Sequence, residues 1–157
     1  VVCLAPTQSK LDVLNGYGVD TILMDRKDPE IHKKAVFERF PYGVDAIVDA
    51  TGSASVLPDC FQLLKKQGRL LQFSSTKDDE NITINPAYFY RNELQYYTSY
   101  CQVHEFGRAV DAIASGKVRL DKLVTRLYTL EQFPQAIEDV LDHSVLKLVI
   151  RPNGMED

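Results

Sequence analysis

Short apolar runs alternate with stretches of helical periodicity along the first half of this chain. Val1 to Ala5 (VVCLA) is a run of the first kind and predicts a strand ended by Pro6. Ser9 can cap a helix that carries Leu11 and Leu14 and stops at Gly16 or Gly18. Val19 to Met24 predicts the next strand. Asp28-Pro29 then opens a helix with proline in its first turn; Ile31, Ala35 and Val36 give it an apolar side, and Pro41-Tyr42-Gly43 closes it.

The stretch from Val44 to Ser75 organises the rest. Val44 to Ala50 is apolar except at Asp45 and Asp49, the pattern of a strand buried on both faces. Thr51-Gly52-Ser53 turns the chain, with Ser53 or Ser55 available to cap a helix. In that helix Leu57, Cys60, Phe61 and Leu64 form one stripe, Lys65 and Lys66 suit its carboxyl end, and Gly68 stops it. Arg69 to Phe73 is a second strand, ended by Ser74-Ser75. This is a βαβ unit. Its strand ends, Thr51-Gly52 and Ser74-Ser75, face the edge where open α/β sheets bind ligands.

Beyond Ser75 the pattern loosens. Thr76 to Asn81 is a charged loop, Ile82 to Pro86 a short extended piece, Ala87 to Asn92 a helical turn and Glu93 to Tyr100 a last sheet strand. Helices are predicted over His104 to Ala114, with Phe106, Ala109, Val110 and Ile113 on one face, and after Glu131, with Phe133, Ala136, Ile137, Val140 and Leu141 on one stripe. Leu123 to Leu130 and Leu146 to Ile150 are extended, and Pro152 to Asp157 is a polar tail. The β-α-β-α-β-α-β order of the first half predicts an α/β fold with a doubly wound parallel sheet.

Bulk properties narrow the function classes. The chain has 157 residues, 45% hydrophobic and 25% charged, ordinary for a soluble globular protein and enough for one real core. A net charge of -4 argues against a nucleic-acid or anionic-membrane surface. No apolar run is long enough to span a membrane. Cys3, Cys60 and Cys101 are scattered and lack zinc-site spacing, so they read as reduced thiols of a cytoplasmic protein. His32, His104 and His143 stand alone and read as solvent-facing. A nucleotide-binding sheet should begin with a strand, a glycine-rich turn and a helix, yet no G-x-G-x-x-G occurs. With no initiator methionine and an apolar start at Val1, the chain reads as an interior piece of a longer protein.

The order of a strand, S-K-L-x-x-L-x-x-x-G-V-D, V-D-A-I-V-D-A-T-G and L-L-K-K-Q-G-R-L-L resembles the cofactor domain of medium-chain, zinc-type alcohol and polyol dehydrogenases. The segments I-x-I-N-P-x-x-x-Y-R-N-E-L-x-x-x-x-S-Y, A-I-A-S-G-K-V-x-L-D-K-L-V-T and L-E-Q-F-P-Q-A-I-E-D-V extend the resemblance over nearly the whole chain. It leans toward the sorbitol, xylitol, arabinitol and threonine dehydrogenase branch. The resemblance implies a Rossmann-type doubly wound parallel sheet lacking its first strand and glycine-rich turn. Residues 1–122 would be the NAD(P)-binding domain and 123–157 a segment returning toward a catalytic domain outside this chain. The full-length protein would be an oxidoreductase moving hydride between a secondary alcohol or polyol and the nicotinamide. Zinc would belong to the absent catalytic domain, and no catalytic or metal residue is assigned in this chain.

The same resemblance supplies cofactor contacts. Ala5 stands where the family carries an acid for the adenosine ribose; with no acid there, Thr7, Ser9 and Lys10 could accept a 2′-phosphate, which favours NADP over NAD. For these residues a helix cap at Ser9 and a solvated Lys10 are equal alternatives. Thr51 and Gly52 match the adenosine side, where glycine either admits a ligand or serves the turn. Ser74 and Ser75 match contacts near the nicotinamide ribose, and Ser99 and Tyr100 the strand that meets the carboxamide. Tyr100 also suits a core aromatic. Lys147 aligns with a basic residue reaching the pyrophosphate, against the plainer reading of a surface strand lysine. The tyrosine-rich edge strand from Glu93 to Tyr100 implies a homodimer or tetramer. Two other readings stay open: a zinc-free NADPH quinone reductase of the same superfamily, and a non-catalytic Rossmann dimerisation module.

Overall fold

The computed structural model describes residues 1–101, 103–142 and 144–154. His143 therefore lies outside the described residues, as do the last three positions of the predicted tail. The chain forms two compact units, Val1–Met24 with Val103–Asp157, and Asp25–Gln102.

In the first unit, β1 (Val2–Ala5) and β2 (Asp20–Leu23) pair in parallel, joined by α1 (Gln8–Asn15). Thr7, not Ser9, occupies the N-cap position of α1, and Leu11 anchors the helix as its buried residue. The same unit holds α5 (Phe106–Ala114), β6 (Val124–Thr129), α6 (Phe133–Asp139) and β7 (Lys147–Arg151), with β6 and β7 parallel. Tyr128 of β6 is buried and donates its hydroxyl to Asp139 of α6, while Arg126 bridges Asp139 and Asp142. That network, with Ala136, seats α6. The apolar stripes of α5 and α6 are present as predicted, but Phe106, Val110, Ile113, Ile137 and Leu141 are exposed.

The second unit holds α2 (Pro29–Arg39), β3 (Val44–Asp49), α3 (Leu57–Leu63), β4 (Leu64–Gln72), α4 (Pro86–Asn92) and β5 (Gln95–Thr98). Its sheet runs β3-β4-β5, all parallel. Two caps form as the residue types dictate: Asp28 accepts from the Glu30 amide at 3.1 Å, and Asn85 from the Ala87 and Tyr88 amides at 3.0 and 3.2 Å. The core gathers Leu57, Cys60 and Phe61 of α3 over Leu64 and Leu70 of β4, with Phe89 and Tyr96 edge-on to Phe61 at 4.8 and 5.4 Å between ring centroids.

Three expectations are corrected here. Lys65, Lys66 and Gly68 do not end α3; the chain passes straight into β4 and bends at Gln67, whose φ is 62°. Glycine at position 68 is required by that bend, since a Cβ there would lie 2.7 Å from the Lys65 carbonyl oxygen. β3 is not buried on both faces, because Val48 is 62% exposed. The inner face of α2 is only partly its aliphatic side: Val36 is buried as expected, but Ile31 is exposed, while Lys33 and His32, the latter expected to face solvent, are buried. Lys33 is held there by Glu30, by Asp59 at 3.0 Å and by the Gln62 carboxamide at 3.0 Å, so its ammonium is paired rather than stranded.

Candidate nucleotide site at the strand ends

The carboxyl ends of β3, β4 and β5 bring most of the predicted contacts of the second unit together. Gly52 follows β3 with φ 70°, and a Cβ there would meet the Ser75 carbonyl oxygen at 3.0 Å. The β3 and β4 turns therefore touch, and glycine at 52 serves that close approach. Ser74 is fastened by its amide to the Asp49 carbonyl at 3.3 Å, beside the Phe73 amide at 2.8 Å. Ser99 extends the ladder beyond β5, donating its amide to the Gln72 carbonyl at 3.1 Å. Ser75 is exposed, and so is Tyr100 at 88%.

Beneath this edge lies a polar side chain that the sequence pattern counted only as a break in a strand. Asp49 is 3% exposed. Its Oδ1 accepts from the Thr51 hydroxyl at 2.7 Å and from the Thr51 amide at 3.1 Å. The Thr51 oxygen in turn accepts from the Ser53 amide at 3.2 Å. Burial, and then the charges of Asp49 and Asp59, push the neighbouring Cys60 thiol up to about 12, so it stays protonated. Tyr96, whose hydroxyl donates to Gln72, is likewise shifted upward, first by burial and then by Asp49. The signal that could have found Asp49 is local: an aspartate two residues before a threonine, at a strand end, makes an Asx-type turn.

In the first unit, Ala5 ends β1 and accepts from the Met24 amide at 2.9 Å. Thr7 is at the start of α1 with no side-chain cap bond, Ser9 is exposed, and Lys10 is half-buried one residue further on. Lys147 is exposed and opens β7, at the amino end of its strand pair, where its carbonyl accepts from the Thr125 hydroxyl at 3.1 Å. That placement favours the surface-lysine reading. No group of three or more His, Cys, Asp or Glu among the described residues could hold a metal ion.

The sequence profile of the zinc-binding dehydrogenases matches residues 1–115. The chain belongs to the zinc-binding dehydrogenase family. Within the family, D-arabinitol dehydrogenase 1 of Uromyces fabae is 30% identical over 155 residues, covering 98% of this chain and 44% of the relative. Among solved structures, a protein of Sinorhizobium meliloti 1021 described as a zinc-binding dehydrogenase bound to NADP superposes with a TM-score of 0.84 at 21% identity. That superposition covers 97% of this chain and 45% of the other. A short chain alcohol dehydrogenase of E. coli CFT073, complexed with NADH, gives 0.83 at 18% identity over 96% of this chain and 44% of its own. The fold is thus that of the Rossmann-type dehydrogenases. This chain spans less than half the length of the curated relatives it matches.

Proposed function

We propose that this zinc-binding dehydrogenase chain is the cofactor-binding portion of an NAD(P)-dependent alcohol or polyol dehydrogenase. The observation that carries the reading is the family match over residues 1–115. The cofactor would supply the hydride acceptor, and this chain's residues would bind and orient it. Thr51, Gly52, Ser74 and Ser75 would face the nucleotide at the β3 and β4 ends, with Ser99 and Tyr100 at the carboxamide. Ala5, Thr7, Ser9 and Lys10 would accept the adenosine end, and the lack of an acid at Ala5 favours NADP. Lys147 remains the least supported contact, given its place at the start of β7. Residues 1–122 would form the cofactor domain and 123–157 the return toward a zinc-bearing catalytic domain. The free edge of β5, with Tyr97 and Tyr100 exposed, supports pairing of two copies through Glu93–Tyr100. A cytoplasmic location fits three free thiols.

The test is reduction of NADP and NAD by the full-length protein with arabinitol, sorbitol and simple secondary alcohols, before and after zinc chelation. Polyol-dependent reduction that chelation abolishes is expected. Activity on quinones that survives chelation would instead favour the zinc-free quinone reductase reading, and no nucleotide binding at all would favour the dimerisation module.

A further inference from the structure

Asp49 is retained at a cost that its local hydrogen bonds do not explain. Oδ1 is saturated by Thr51, but Oδ2 is sealed from solvent and has no partner. A buried acceptor left unsatisfied is destabilising, and such a group calls for a reason other than stability. The reason suggested by position is geometric. From one residue, the carboxylate fixes Thr51 while the backbone carbonyl fixes Phe73 and Ser74, so both strand-end turns hang on Asp49. The relay also has a direction. Because Thr51 gives its hydroxyl hydrogen to Oδ1, its lone pair is turned toward the Ser53 amide, which it accepts at 3.2 Å. The Gly52 backbone, between those two anchors, is thereby pinned in its left-handed conformation against Ser75.

We propose that Asp49 is a positioning residue for nucleotide binding, acting through Thr51 to hold the Thr51–Ser53 turn in the shape the cofactor meets. The inference rests on the cofactor-binding reading above. It requires an acceptor at Oδ1 and not a full carboxylate, so the amide of Asp49→Asn substitutes for it, whereas Asp49→Ala does not. It also requires that Asp49 and Thr51 act as one unit, so the loss from removing both equals the loss from removing either.

The test is NADPH and NADH titration, by cofactor fluorescence, of the full-length protein and its Asp49→Ala, Asp49→Asn, Thr51→Val and Asp49→Ala/Thr51→Val variants. Each variant's folded fraction is measured in parallel by circular dichroism. Asp49→Ala and Thr51→Val are each expected to raise Kd by about tenfold, the size of one lost hydrogen bond, and the double variant by no more than either. Asp49→Asn is expected to restore wild-type affinity. A lower unfolding midpoint with unchanged Kd for Asp49→Ala, or losses that multiply in the double variant, would overturn the proposal and leave a structural role. Wild-type protein that binds neither nucleotide would instead refute the cofactor reading on which it rests. Should Asp49→Ala fail to fold, Thr51→Val decides: its Ser53 amide must exchange faster and its Kd must rise, and either result failing overturns the proposal.

Discussion

Leu70→Ala probes whether the β4 strand carries the weight the packing assigns to it. Leu70 is 0% exposed, lies in the middle strand of β3-β4-β5, and pairs in register with Ile47 on one side and Tyr96 on the other. Leu57, Cys60, Phe61 and Leu64 complete the cluster around it. Truncation removes a branched apolar side chain that transfer energies value at about 2.4 kcal/mol. The neighbours come from a helix and two hydrogen-bonded strands, so the void cannot collapse fully and a cavity term brings the loss to about 3–4 kcal/mol. With no tryptophan in the chain, urea unfolding is followed by tyrosine fluorescence and far-ultraviolet circular dichroism. At a slope of about 1.5–2 kcal/mol/M, the midpoint should fall by about 2 M. Val48→Ala is the internal control: it lies one strand over but is 62% exposed, so it should cost less than about 0.5 kcal/mol. A Leu70→Ala loss below about 1 kcal/mol, or one equal to that of Val48→Ala, would refute this account of the core.

Other predictions follow from single contacts. Gly52→Ala places a Cβ at φ 70° and 3.0 Å from the Ser75 oxygen, so it should cost about 1–2 kcal/mol in urea unfolding and weaken NADPH binding in the same protein. The Ser144 hydroxyl and amide, and beyond them Arg126, hold the Asp142 carboxyl down to about 2, below the roughly 3.9 of an unfolded chain. Its contribution to stability is therefore complete above about pH 4 and lost as pH falls toward about 2. Asp142→Asn should lower stability at neutral pH, converge on the wild type as pH falls toward about 2, and so flatten the curve in that window, measured by urea midpoints across pH.

The regular half of this molecule was legible because its signals are local. The β-branched run at Val44 and the Asp28-Pro29 start each carry their cause within a few residues, and each appears where the pattern puts it. What failed depended on distant partners. The burial of Lys33 depends on Asp59 and Gln62, 26 and 29 positions away on α3, which no local pattern announces. Lys65, Lys66 and Gly68 carry a convincing helix-end signature, yet pairing with β3 draws them into β4 through a register shift between Val44 and Ala46. Periodicity also marks α5 and α6 as amphipathic without saying what covers them, and apart from Ala136 the large side chains of their stripes are exposed. At the site, the small residues of the strand ends were readable from the βαβ unit, whereas Asp49 was not. Inside an apolar run an aspartate and a valine were assigned to the same buried strand, and the structure buries the aspartate and exposes Val48.

Hydrogen–deuterium exchange of the full-length protein, with and without saturating NADPH, tests the central claim most directly. The account predicts slower exchange at the strand-end segments around Thr51–Ser53, Ser74–Ser75 and Ser99, with the amino ends of the same strands, around Lys65–Gln67 and Gln95, unaffected. Protection confined to those amino ends, or no protection anywhere in the chain, would contradict it.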